Sequence, residues 1–254
     1  MIDIGLDFQR FILVFFRVVS MIWLLPLFES KSISTVYKAG LSLLIAFLLF
    51  KSVPLPGIGG DAFLLLVAIA KETLVGFSIG FMVRILFATV SAAGEVISMQ
   101  SGLSFARSLD ETMGVQTSVI EQLKSLLAIM IFLAIDGHHI FLKGIAASLR
   151  QVPPGAVTVR PGLFNYMIDA TGKLFGAGLK IGAPVIVTLF LVELALGVLS
   201  RLVPQVNVFI EGASMKILIT LTVLALSLNF IVPVIAGIFR GMDGEMLKII
   251  RLMV

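Results

Sequence analysis

The chain alternates long apolar stretches with short polar breaks, and that rhythm predicts helices. Apolar runs cover residues 11–28, 36–50, 62–90, 123–142, 174–202 and 215–239. A small-residue stretch, SAAGEVISM at 91–99, continues the third of them. A helix needs about 20 apolar residues to cross a bilayer. Run 36–50 is short for that, and run 62–90 is long yet carries Lys71, Glu72 and Arg84. Plain six-pass threading would not look like this.

The most tightly specified break lies within residues 181–216, IGAPVIVTLFLVELALGVLSRLVPQVNVFIEGASMK. Proline has no amide hydrogen and clashes with the preceding helical turn, so the first helix should stop just before Pro204. Gln205 and Asn207 can satisfy backbone groups left open at the two helix ends. The expectation is a helical hairpin whose tip carries Pro204, Gln205, Asn207 and Phe209.

Three other breaks matter. Residues 53–60 form a turn-rich connector. Residues 100–125, QSGLSFARSLDETMGVQTSVIEQLKS, form the longest polar segment yet keep Leu103, Phe105, Met113 and Val115; loops of that length inside compact proteins are often functional. Residues 152–160, VPPGAVTVR, read as a linker, with a turn at Pro153-Pro154-Gly155. A domain boundary is expected near residue 165, with four apolar runs before it and one hairpin after it. Residues 240–254 read as an amphipathic helix, with Met242, Leu247, Ile250 and Met253 on one side and Arg240, Lys248 and Arg251 as basic positions. Such a helix can lie on a membrane surface or pack against a partner.

Composition narrows the class. Of 254 residues, 59% are apolar and only 13% charged, against roughly 25% charged in soluble domains. The chain is therefore expected to be membrane-embedded. The net charge of +4 is modest and its basic residues are scattered, which disfavours nucleic-acid binding. Absence of cysteine excludes disulfides, thiolate catalysis and zinc–thiolate sites. The N-terminus opens with Asp3 and Asp7, so a cleaved signal peptide is not expected. With the N-terminus inside, nine Lys/Arg fall on inner segments and six on outer loops. That division fixes orientation poorly.

Candidate chemistry is sparse. Ionisable residues inside apolar runs are costly and are usually paired or functional. Lys71, Glu72, Arg84 and Glu193 are such residues, and pairing between helices accounts for them better than a proton relay. Four GxxxG pairs, Gly76/Gly80, Gly172/Gly176, Gly178/Gly182 and Gly237/Gly241, favour close helix–helix packing. No HExxH, GxSxG, GxxxxGK[ST] or strand–helix GxGxxG motif occurs. Asp136-Gly137-His138-His139 is the one cluster resembling a catalytic group, but it falls at a helix end where Asp and Gly commonly form a turn. Adjacent helical residues point about 100° apart, so the two histidines are expected to chelate poorly. No catalytic residue, metal or cofactor is expected.

Four motifs carry a family resemblance: FESKSISTVYKAGLSLLIAFLL at 28–49, AKETLVGFSIGFMVRILFATVSAAGEVISMQSGLSFA at 70–106, FLAIDGHHIFLKGIAASL at 132–149, and ALGVLSRLVPQVNVFIEGASMKI at 195–217. The PQxNxF core of the last is the most specific. Over nearly its whole length the chain resembles the FliR family, the export-gate R subunits of type III secretion systems. The resemblance implies an all-α, non-enzymatic pore subunit of the bacterial inner membrane and flagellar basal body. Residues 1–165 would be a P-subunit-like helical part and 166–254 a Q-subunit-like hairpin with a C-terminal amphipathic helix. A single R chain would join five P and four Q subunits in a cone-shaped channel for unfolded flagellar proteins, alongside other export-apparatus membrane proteins and membrane lipid. Residues 102–122 would form the plug of the closed pore, with Gly102, Leu103, Ser104 and Phe105 at its start, Phe105 and Met113 as apolar blocks, and Gly114 giving freedom to move. The family tolerates several polar residues at the position of Glu193, so no single role rests on it.

Two rival readings follow from the residues. A secondary transporter of small solutes could use Lys71, Glu72 and Glu193 at a midplane site lined by helices broken at Pro184 and Pro204. A membrane-embedded hydrolase could use Asp136 and His138.

Overall fold

The computed structural model describes residues 4–28, 33–54, 62–102, 119–158, 160–203 and 208–254. Among them the chain forms helices and no strand. These are α1 (Ile4–Trp23), α2 (Thr35–Leu49), α3 (Ala62–Gln100), α4 (Val119–Ala134), α5 (Gly137–Gln151), α6 (Pro161–Leu202), α7 (Val208–Arg240) and α8 (Met242–Arg251), with single 3-10 turns at Pro26–Phe28 and Phe50–Ser52. Four stretches are long and apolar enough to cross a membrane: Thr35–Ser52, Ala62–Gln100, Pro161–Leu202 and Gly212–Arg251. A fifth crossing arises only if α4 and α5 count as one broken span.

Several boundaries differ from the sequence expectation, each for a local reason. The short second run gains the 3-10 turn and reaches 18 residues, about 28 Å and close to the roughly 30 Å hydrocarbon core. The run at 123–142 is not one helix. Asp136 sits in the left-handed region at φ 59°, and its carbonyl accepts from the His139 and Ile140 amides. One helix therefore stops there and another begins. α6 starts at Pro161, well before the apolar run, because proline suits a first helical position where an amide hydrogen has no partner. It ends at Leu202, as expected of a helix that must stop before Pro204. It also runs unbroken through Pro184.

The length of the longest helices is itself informative. α3 has 39 residues, about 58 Å at ~1.5 Å per residue. α6 has 42, about 63 Å. Both far exceed one hydrocarbon core.

The chain packs as two compact units. The first comprises Met1–Phe87, Asp136–Thr171 and Phe239–Val254, and the second Ala88–Ile135 and Gly172–Ile238. In the first unit α1 buries a helical stripe of Leu13, Val14, Arg17, Val18, Met21 and Ile22. α3 answers with Val75, Ile79, Met82 and Val83. The C-terminal amphipathic helix packs on the chain itself, α8 against α5. Its buried side is Met242, Met246, Ile249, Ile250 and Met253, with Leu247 only half-buried. A Cβ on Gly144 of α5 would overlap the Met246 side chain. In the second unit Ile97, Val185 and Leu189 form a buried cluster, flanked by Ile186, Ile219, Val223 and Leu224.

The glycines divide into two kinds. A Cβ on Gly76 would overlap Ser20 Oγ and the Arg17 carbonyl, and one on Gly178 would come within 2.7 Å of the Thr89 carbonyl. Gly172, Gly176 and Gly237 meet nothing within 4 Å. Gly76→Ala is therefore expected to destabilise by about 1–3 kcal/mol through overpacking. Gly172→Ala should gain up to about 1 kcal/mol of helix propensity. Thermal unfolding in mild detergent should separate the two variants in opposite directions. Equal behaviour would contradict the packing.

Candidate functional site

Among the described residues, the fully buried charged side chains are Arg17 and Glu72, and they meet in a constellation built from three segments of the first unit. Arg17 lies on the buried stripe of α1, and Glu72 is on the α3 face that packs there; both side chains are 0% exposed. Arg17 Nε donates to Glu72 Oε2 at 2.5 Å. Its Nη1 donates to the carbonyls of Ser148 and Val152, each at 2.8 Å. Glu72 Oε1 accepts the Gly155 amide at 2.9 Å. Gly155 has φ 86°, a conformation only glycine adopts without strain. The presumed linker is thus a turn tied to two helices, closed by Ala156 N–H to the Pro153 carbonyl at 3.1 Å. Arginine suits this position because its planar fork can serve a carboxylate and two carbonyls at once. The carbonyls of Ser148 and Val152 lie at the C-terminal end of α5, where a cation is favoured.

The other singled-out ionisable residues behave differently. Lys71, beside Glu72 in sequence, points to the exposed side of α3, and Arg84 is exposed as well. Glu193 on α6 pairs with Lys216 on α7 at 2.8 Å, with the carboxylate side chain 59% exposed. The Glu72 and Glu193 carboxylates already hold partners within the chain, and Pro184 does not break its helix, so these observations give no support to a midplane solute site. A groove of about 560 Å³ between α6 and α7 is lined mainly by apolar groups, among them Ala183, Pro184, Val223 and Phe230, with Lys180 at its edge.

Around the α4–α5 break the structure draws together what spacing alone would scatter. His139 Nδ1 lies 3.3 Å from Asp136 Oδ1. The His138 and His139 rings have centroids 4.2 Å apart. The left-handed backbone at Asp136 sets its carboxylate beside His139 in the first turn of α5. The group is open to solvent, with the His139 and Asp136 side chains 61% and 73% exposed. That differs from the enclosed pocket in which hydrolytic groups usually work.

Of the plug segment, Gly102 is described: at φ 79° it closes the C-terminal end of α3. Leu103, Ser104, Phe105, Met113 and Gly114 lie outside the described residues, and residues 119–122 already belong to α4. At the hairpin tip Pro204, Gln205 and Asn207 also lie outside them, and Phe209 enters α7. Sequence reasoning missed Arg17 as a partner. The available signal was a lone arginine in the middle of an apolar helix-length run, opposite an equally isolated glutamate.

A sequence profile of the bacterial export proteins, family 1, matches residues 8–242. The chain is 32% identical over 236 residues to the flagellar biosynthetic protein FliR of Bacillus subtilis (strain 168), covering 91% of each. It is 28% identical over 234 residues to the FliR of Escherichia coli (strain K12), covering 92% of this chain and 90% of the relative. It is 31% identical over 245 residues to that of Pectobacterium carotovorum, covering 95% and 91%.

Removing either partner of the buried pair leaves an uncompensated charge. Arg17→Ala or Glu72→Ala is expected to cost about 3–5 kcal/mol. Glu193→Ala, at a more exposed pair, should cost no more than about 1 kcal/mol. Thermal unfolding of detergent-solubilised variants measures this ranking, and comparable losses for Glu72→Ala and Glu193→Ala would refute it.

Proposed function

The chain belongs to the bacterial export proteins, family 1, and on that premise we propose that it serves as the R-type subunit of a flagellar type III protein export gate. The observation that carries this reading is similarity to flagellar FliR proteins along nine-tenths of the chain, with nine-tenths of the relatives covered as well. The physical form of the chain agrees with it. Helices far longer than a bilayer is thick cannot all lie within lipid, and they carry large exposed apolar side chains such as Phe190, Leu194 and Val198 on α6 and Leu218, Leu221 and Phe230 on α7. Contiguous apolar surface of that kind marks lipid or protein contact. Neighbouring export-apparatus subunits would cover the part that leaves the membrane.

In this reading the chain is a structural component without a catalytic role. Energy for export comes from elsewhere in the machine, since the sequence has no nucleotide-binding motif. One R chain joins P and Q subunits in the inner membrane at the flagellar basal body. Residues 1–165 act as the P-like part, and residues 166–254 as the Q-like hairpin. The two halves of this division need not match the packing units, because α6 contributes to both of those.

The mechanical task is to admit an extended polypeptide and to hold back ions at rest. Residues 102–122 serve as the plug. Both ends of the segment join helices: Gly102 closes α3, and residues 119–122 begin α4. Phe105 and Met113 supply apolar contacts in the closed pore, and Gly114 supplies backbone freedom. The tip residues Pro204, Gln205, Asn207 and Phe209 engage adjoining hairpins.

Two measurements test the proposal. Expressed with the rest of its export apparatus and extracted in mild detergent, the chain should copurify with two other small apolar proteins in one complex of defined mass. Recovery as a lone chain or as a symmetric homo-oligomer would overturn the gate assignment. Shortening residues 102–122 should raise ion conductance of the assembled complex. Unchanged conductance with assembly intact would remove the plug and leave the gate standing.

A further inference from the structure

The proposed export role assigns no task to Asp136, His138 and His139, and we propose that they form a binding site for a divalent first-row metal ion of the zinc type. Each side chain offers one ligand atom, and the three atoms lie within 4.8 Å of one another. Tetrahedral ligands at ~2.0–2.1 Å from zinc stand about 3.4 Å apart. Small rotations of exposed side chains close the difference.

The local geometry shows why these groups are free to bind an ion. An aspartate preceding a helix ordinarily spends its carboxylate on capping the first amides. Asp136 makes no side-chain capping bond. Its Oδ1 faces His139 Nδ1 at 3.3 Å instead. The His138 ring lies beside the His139 ring, with centroids 4.2 Å apart. His138 Nδ1 is buried and has no hydrogen-bond partner. A polar nitrogen left in that state is costly, and the cost is relieved only if that nitrogen itself gains a partner, as it would by ligating an ion. The exposed Asp136 and His139 side chains leave an entry path and room for water to complete the coordination. The positive end of the α5 dipole opposes a cation, and the Asp136 carboxylate offsets it.

Ligand chemistry sets the class of ion. Two imidazoles and one carboxylate suit Zn(II), Ni(II), Co(II) or Cu(II). Calcium and magnesium favour all-oxygen sites, and Cu(I) favours sulfur. A bound ion would bridge the residue at the helix break to the first turn of α5, and so hold Asp136 in its left-handed conformation.

The chain contains two histidines in all, which makes the test clean. The full chain is purified in detergent with an affinity tag free of histidine, titrated with Zn(II) by calorimetry, and examined by electron paramagnetic resonance with Cu(II). The expected result is one Zn(II) per chain and a Cu(II) signal split by two imidazole nitrogens. Asp136→Asn and His139→Ala should each weaken Zn(II) binding by at least about tenfold, since even outer-shell changes cost that much. Their metal-free unfolding temperature and circular dichroism should match the parent chain. Wild-type affinity no tighter than that of His139→Ala, or a Cu(II) signal with fewer than two nitrogens, would overturn the site.

Discussion

A guanidinium and a carboxylate sealed from solvent set the terms for the first packing unit. Burying either charge alone would cost several kcal/mol. Arg17 and Glu72 are tolerated because each meets the other and each also meets backbone: two carbonyls for the arginine and one amide for the glutamate. A simple apolar contact could slide or rotate. This arrangement cannot, since turning α1 about its axis would strip Arg17 of three acceptors at once. The pair thereby fixes the azimuth of α1, the approach of α3 and the position of the turn at Gly155. Close approach is possible because Gly76 and Gly80 present bare backbone to α1, with a Cβ on Gly80 reaching within 3.0 Å of the Met21 carbonyl.

The second unit is held differently. A buried cluster there is apolar, and an ion pair between α6 and α7, Glu193–Lys216, is half in the open. α6 and α7 leave much of their apolar surface uncovered. A chain that specifies one region by buried polar groups and leaves another region with broad apolar faces is suited to join an assembly: the first region keeps its own form, and the second takes its surroundings from lipid and neighbours. Membership of a family of export proteins places that assembly in flagellar protein export.

Much of this was legible in the residues. Helix content followed from apolar periodicity, and the stop before Pro204 followed from proline chemistry. The continuation of α3 through SAAGEVISM followed from small residues that do not interrupt a helix. Gly76 and Gly178 were legible as close-packing positions, whereas Gly172 and Gly176, with the same spacing, face open space. Motif spacing records which residues share a face and says nothing of what lies opposite. The same limit hid the partner of Glu72. Lys71 is its neighbour in sequence, but adjacent helical residues diverge, and the true partner lies 55 positions away. The helix end at Asp136-Gly137 was legible from those two residue types, but not that a second helix would start at once, because Ile140 and Phe141 keep the run apolar beyond it. One backbone angle decided it, and that same angle set the Asp136 carboxylate beside His139.

Hydrogen exchange at the Gly155 amide reports on the buried pair most directly. This amide sits in a Pro-Pro-Gly turn between helices, where exchange would ordinarily be fast. Its bond to Glu72 Oε1 at 2.9 Å should make it exchange at least about a hundredfold more slowly than an open turn, with the protection of a cooperatively closed unit. Exchange at the rate of an unstructured peptide would contradict the claim that Arg17 and Glu72 hold the first unit together.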